Sequence, residues 1–208
     1  SNSSDYATTH ANINNSTILG ADDSNDTTTL NGWYRANLQG YIKYLDGNAG
    51  FCGDRTPSTN NSSSNGSGGT GMTLTYYGAH IRLIINNNPS LQCDSLDIYT
   101  TINSNSGNQT LKYPIGLISA DEIVLSGMPW WQNGTNTNNY LYTNQSYWTM
   151  SPSFWDSAAY VFHVNSSGSL DESFGSVYRE HGVCPVINLR SDTVLSGSGT
   201  STDPFKVV

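Results

Sequence analysis

The chain has 208 residues and a formal net charge of −8, although only 12% of its residues are charged. An acidic surface cannot neutralise phosphates, which argues against a nucleic-acid partner and against a polybasic membrane contact. No stretch approaches the roughly 18 consecutive apolar residues that a membrane-crossing helix needs, and no charged-then-apolar export signal is present, so any signal or anchor is expected outside these residues.

Asn, Ser, Thr and Gly make up nearly half the chain, yet there are 13 Tyr, 5 Trp and 5 Phe. Disordered chains are poor in aromatics, and each aromatic ring buries a large area. The composition therefore predicts a folded domain, 1–208, with an aromatic core. Lys occurs only at 43, 112 and 206, and a polar, weakly charged surface suits an exported protein.

Residues 1–29 are polar, with Ile13, Ile18 and Leu19 as the few apolar points. Leu30, Trp33, Tyr34, Leu38, Tyr41, Ile42 and Leu45 recur at spacings of three and four, which predicts a helix over 30–46. Asp26 and Thr27 to Thr29 offer N-caps, and Asp46-Gly47 a stop. Residues 56–71 are a Ser/Asn/Gly run and read as a flexible loop. Residues 72–85 are apolar and β-branched, which places His80 in a strand, and Asn86 to Pro89 break it. Residues 113–118 read as extended. Ser119-Ala-Asp-Glu122 has the spacing of a capping box for a short helix to about Ser126, with Gly127 as its C-cap. A polar loop follows Trp130-Trp131. Strands are expected at 140–142, 147–150, 158–164, 175–178 and 183–189, with Asn165 to Gly168 as a hairpin turn and 204–208 as a closing strand. Two helices followed by a β meander predict an α+β fold in one domain, with a small, mostly antiparallel sheet and long irregular loops.

Cys52 and Cys93 both lie in polar, loop-like settings and neither belongs to a CxxC pair, so a zinc site is not expected. A disulfide between them would close a loop of about 40 residues, stabilising the fold by about 4 kcal/mol at most. Cys184, in an apolar run, reads as a small buried hydrophobe.

Several phrases resemble a widespread domain of exported proteins from Firmicutes and Mollicutes-like gut bacteria. They include Thr-His-Ala-Asn with Asn-Ser-Thr-Ile (9–18), Phe-Cys-Gly-Asp-Arg (51–55), Tyr-Pro-Ile-Gly-Leu-Ile-Ser-Ala-Asp-Glu (113–122), Tyr-Trp-Thr-Met-Ser-Pro (147–152) and Gly-Val-Cys-Pro-Val-Ile-Asn-Leu (182–189). The Trp-x-x-Ser-Pro segment, the late hairpin and the Gly-Val-x-Pro-Val strand are similar to those of C-type-lectin-like, retroelement-diversified and formylglycine-enzyme-like ligand-binding domains. The resemblance implies a C-type-lectin-like fold whose late strands and loops present a binding face. It also implies first strands supplied before Ser1 or by a neighbouring subunit. Cys184 stands where this family carries an arginine.

No constellation for catalysis emerges. His10, His80, His163 and His181 lack the spacing of a helical metal pair, and neither a nucleophile elbow nor a phosphate-cradling loop is present. Asp171-Glu172 reads as a solvated pair at a turn. The expectation is therefore no enzymatic activity, no metal and no cofactor. Candidate ligand-binding residues are Phe154, Trp155 and Asp156 with Tyr178, Arg179, Glu180 and His181, helped by His163 and Asn165. Aromatic rings offer rigid area and stack on sugars, and Arg adds a planar donor fork. The competing reading is that Phe154 and Trp155 close the core and Arg179-Glu180 form a surface ion pair. The expected function is an extracellular, adhesin-like domain of a bacterial surface or pilin-like protein, recognising a glycan or a protein. The alternative is a structural subunit whose exposed strands pair with neighbouring subunits.

Overall fold

Leu30 and Tyr34 lie one helical turn apart and both are buried, which anchors α1, Leu30–Asn37. In the computed structural model residues 30–208 are described, except 55–57, 59–73, 95–96, 102–108, 157, 174, 178 and 201. The expectations for residues 1–29, and for nearly all of the 56–71 run, lie outside the described residues.

The predicted helix over 30–46 is in fact two elements. α1 stops at Asn37, and a 3₁₀ turn, Gln39–Tyr44, follows Leu38. The Asn37 side chain donates to the Trp33 carbonyl at 2.8 Å, a local bond that competes with the backbone ladder. Beyond it Tyr41 and Ile42 are 57% and 61% exposed. Burial of an apolar face supplies most helical stability in proteins, and here Tyr41 and Ile42 are left largely uncovered.

β1, Phe51–Cys52, pairs antiparallel with β3, Ile98–Thr100, and β3 pairs parallel with β4, Gln109–Thr110. The predicted strand at 72–85 is mostly helical. Only β2, Thr75–Tyr76, is extended; α2, Gly78–His80, then runs into a wider turn, Ile81–Ile85, closed by Asn86 N–H donating to the Ile81 carbonyl at 2.9 Å. Ala79 and Leu83 are four apart and both buried. A short apolar run fits either period, and packing against the sheet decides between them.

β5, Gly116–Leu117, pairs antiparallel with β9, Pro185–Val186. α3, Ala120–Leu125, forms as its cap predicts: Ser119 Oγ accepts from the Glu122 N–H, and the Glu122 carboxylate accepts from the Ser119 N–H. Residues 140–142 are a turn rather than a strand. Asn139 holds them, accepting from the Leu141 N–H at 2.8 Å while donating to the Ser126 carbonyl at 2.9 Å.

The centre of the molecule is a hairpin of β6, Tyr147–Asp156, and β7, Ala158–Val164, in a sheet of order β2-β6-β7-β8 with β8, Leu170–Asp171. The turn at Asn165 to Gly168 is the predicted one, with Gly168 at φ +81°. The strand expected at 175–178 reduces to a single bridge from Ser176 to Tyr160 on the outer edge of β7. The one expected at 183–189 reduces to β9 and a bridge from Leu189 to Leu45. β10, Leu195–Ser196, and β11, Lys206–Val207, form a separate hairpin. The α+β expectation holds, but four small sheets replace the single one among the described residues, antiparallel except at β3–β4.

Both faces of the central hairpin are covered. Trp148, Met150, Trp155 and Val161 pack with Leu30, Tyr34, Phe51 and Tyr99 on one side. Tyr147, Phe162, Val164 and Leu170 pack with Ala79, Leu83, Ile123 and Met128 on the other. The Cys52–Cys93 disulfide is present as expected, 41 residues apart in sequence.

Candidate functional site

Consecutive residues on a strand point to opposite faces, so Phe154 and Trp155 cannot meet one ligand. Trp155 is 6% exposed and sits in the first core cluster. Phe154 lies on the other side, half-buried, stacked on Tyr160 at 4.3 Å and edge-on to Tyr76 and His80. His163 is 2% exposed. Its ring stacks face to face with His181 at 4.4 Å, and Trp148 packs edge-on against both.

The path of the chain explains that stack. Ser176 pairs with the outer edge of β7, while the Trp148 N–H donates to the Gly182 carbonyl on the outer edge of β6. The chain between must cross the face that carries Trp148 and His163, and it brings His181 down as a cover. Burial and then the neighbouring His181 push the His163 imidazole down to about 4; Asp171 pulls the other way, and Arg179 adds the smallest downward push. Its Nδ1 is buried without a hydrogen-bond partner.

Of the predicted face, Trp155 and His163 are therefore interior residues, a correction forced by cover on both sides of the sheet. Asn165 builds the turn, accepting from the Ser167 and Ser169 N–H groups. Phe154 and His181 stay partly accessible, and Arg179 and Glu180 are exposed. Tyr178 and the Asp156 side chain lie outside the described residues.

Asp171-Glu172, expected to be solvated, is instead anchored. Asp171 accepts from the Ser173 N–H at 2.8 Å. The Glu172 carboxylate meets His80 Nδ1 at 2.9 Å and hydrogen-bonds Ser153 Oγ, which itself lies 3.1 Å from the same Nδ1. A hydrolytic relay needs the serine on one ring nitrogen and the acid on the other. Here both share one nitrogen, so the trio ties α2 to β6 and cannot pass a proton through the ring.

A cleft of about 320 Å³ lies elsewhere, between β1, β5, the start of α3 and residues 90–93. Both disulfide cysteines line it, with Gln92, Asn188, Leu91 and Glu122. In its wall Arg82 is clamped between two carboxylates. Nη2 donates to Asp54 at 2.5 Å and to Asp121 at 2.7 Å, and Nε donates to Asp121 at 2.9 Å. Asp121 also accepts from the Ser90 N–H at 2.8 Å, which holds the far wall. Asp54 stands at φ +45°. A Cβ on Gly78 would come within 2.9 Å of both the Arg82 and the Asp54 side-chain ends, so a larger residue there would push on the clamp.

Burial pushes the Asp54 carboxyl up against the opposing pull of Arg82. Burial alone would lower Arg82, but its bonds to Asp121 and Asp54 hold it above the usual guanidinium range. One cation between two carboxylates leaves an excess negative charge in the wall. Asp54, Arg82 and Asp121 are 28 and 39 residues apart in sequence, and no local pattern joins them. In the sequence Asp121 reads as part of a helix cap.

Among the described residues no group of three or more His, Cys, Asp or Glu is placed to hold a metal ion, and no helix is long and apolar enough to cross a membrane. No protein-family model, curated protein or solved structure matches this chain.

Proposed function

We propose that this chain is an extracellular ligand-binding domain of C-type-lectin-like arrangement, and that it takes a glycan in the cleft beside the Cys52–Cys93 disulfide. The observation that carries the reading is the cleft with its clamped arginine. Its volume of about 320 Å³ stands at the lower end of the range of small-ligand sites, roughly 300–1,000 Å³. A half-buried arginine between two carboxylates is costly to desolvate, and such perturbed groups concentrate at working sites. Sugar hydroxyls both donate and accept. They would use the carboxylate lone pairs that Arg82 leaves over and the side-chain amides of Gln92 and Asn188.

Location outside the cell draws its support from the disulfide, since such bonds persist in oxidising compartments. The lectin-like arrangement draws its support from two short helices, α1 and α3, that precede the long β6–β7 hairpin. The reading is of binding rather than chemistry, because the Ser153–His80–Glu172 trio has no relay geometry.

The test is a glycan and mucin array on the purified chain, followed by calorimetric titration of the best glycan. We expect saturable binding that is lost in Gln92→Ala/Asn188→Ala and kept in Arg179→Ala. Loss in Arg179→Ala alone would move the site to the accessible segment Arg179–His181. A folded chain that binds no glycan would overturn the reading.

A further inference from the structure

Twelve large apolar side chains are exposed among the described residues, and eight of them lie on two adjoining segments. Tyr41 and Ile42 project from the 3₁₀ turn; Val194, Leu195, Phe205 and Val207 are among those on the stretch from Leu189 to Val208. The segments meet at Tyr44, whose carbonyl accepts from the Arg190 N–H at 2.9 Å and from the Thr193 hydroxyl at 3.2 Å. Scattered exposed apolar residues are ordinary, but a concentration of them marks an interaction surface.

The backbone of the β10–β11 hairpin says what kind of partner fits. The Val208 N–H donates to the Val194 carbonyl at 3.0 Å, so the adjacent pair, Leu195 and Val207, is a non-hydrogen-bonded one. In such a pair the N–H and C=O groups point away from the partner strand. The described sheet has two strands and hence two open edges, and an apolar open edge is a template for another strand. A two-stranded hairpin by itself is marginal in water.

Charge says which strand. The chain carries −8 in all, yet its stretch from Leu189 to Val208 holds Arg190, Asp192, Asp203 and Lys206 and is neutral. Arg190 and Asp192 also neutralise each other at 2.9 Å. Two copies of an acidic chain repel least where each is neutral.

We propose that a second copy of this chain seats on this surface, its β11 edge pairing antiparallel with β11 of the first. A two-fold contact of this kind uses the same patch on both partners and closes on itself. It completes a four-stranded sheet, β10-β11-β11-β10, with Tyr41 and Ile42 beside it. This association does not depend on the glycan reading.

Sedimentation velocity across the micromolar to submillimolar range tests it. The expected result is a concentration-dependent shift from 22.5 kDa to twice that mass. Val207→Pro removes the outward N–H and no inward one, and should weaken the dimer at least tenfold with an unchanged near-ultraviolet circular dichroism spectrum. Leu125→Lys, an exposed position on α3, should leave the dimer intact. A wild-type chain that stays monomeric throughout, a dimer indifferent to Val207→Pro, or open-ended growth beyond the dimer would each overturn the proposal.

Discussion

The central hairpin and the cleft wall are held in different ways. β6 and β7 are packed on both faces, so their order rests on many side chains that each remove apolar area from water. The cleft wall at 88–93 rests on point links: the disulfide, the Ser90–Asp121 bond, and the bond from the Asn88 N–H to the Arg82 carbonyl at 2.8 Å. Area is redundant and links are not. The first region should therefore fail globally and the second locally.

The largest expected effect breaks the area-held side. Phe162 has no exposure and sits in the second cluster against Trp130. Phe162→Ala should lower unfolding free energy by about 3–5 kcal/mol, read as a fall in the urea midpoint with coincident loss of all structural probes. The next breaks a link. Cys52→Ser/Cys93→Ser should cost about 2–4 kcal/mol. Amide exchange should rise at 88–94 well before it rises in β6 and β7. Equal acceleration in both regions would mean that the two are not held separately.

A third prediction uses pH to separate them, because the central sheet contains His163. Its folded value of about 4 lies below the unfolded reference of about 6.5. The unfolded chain therefore binds more protons between those values, and stability rises with pH across that window. The contribution is intact above about pH 6.5 and is lost as pH falls toward 4, with a ceiling of about 3 kcal/mol. His163→Leu should flatten that slope. Denaturant unfolding at several pH values for both chains checks it; parallel slopes would show that the stack with His181 does not govern acid sensitivity.

The same contrast explains what could be read in advance. The α3 cap was legible because all its partners lie within four residues, Ser119 to Glu122. β7, the first four residues of β6 and the Asn165 turn from β7 to β8 were legible from alternation and turn chemistry, whereas the continuation of β6 to Asp156 was not. The disulfide was legible because only Cys52 and Cys93 sit in polar surroundings. Each of these is a local or compositional signal. The helix at 78–85 was not legible, because Ala79 and Leu83 fit a helix while the β-branched isoleucines fit a strand, and the sheet behind them decides. Trp155 and His163 looked like ligand contacts for a related reason. An aromatic on a strand is a platform or a core residue according to what covers it, and the cover here comes from α1 and from the crossing chain at His181. The cleft was silent altogether, since its charges converge from three distant segments.

The smallest expected effect tests where the two regions join. Ser119 lines the cleft and caps α3, and the following residue, Ala120, donates its N–H to Ser151 Oγ of β6 at 3.0 Å. Ser119→Ala removes a cap, which by itself costs about 1 kcal/mol. If the link-held wall is separate, the midpoint should fall by that much and no more. The glycan binding proposed for the cleft should still weaken, because Asp121 loses the helix start that aims it at Arg82. A stability loss of several kcal/mol would instead mean that the cap carries the sheet through Ala120 and Ser151. The cleft wall and the central hairpin would then be one cooperative unit, with the clamp around Arg82 part of what holds the core.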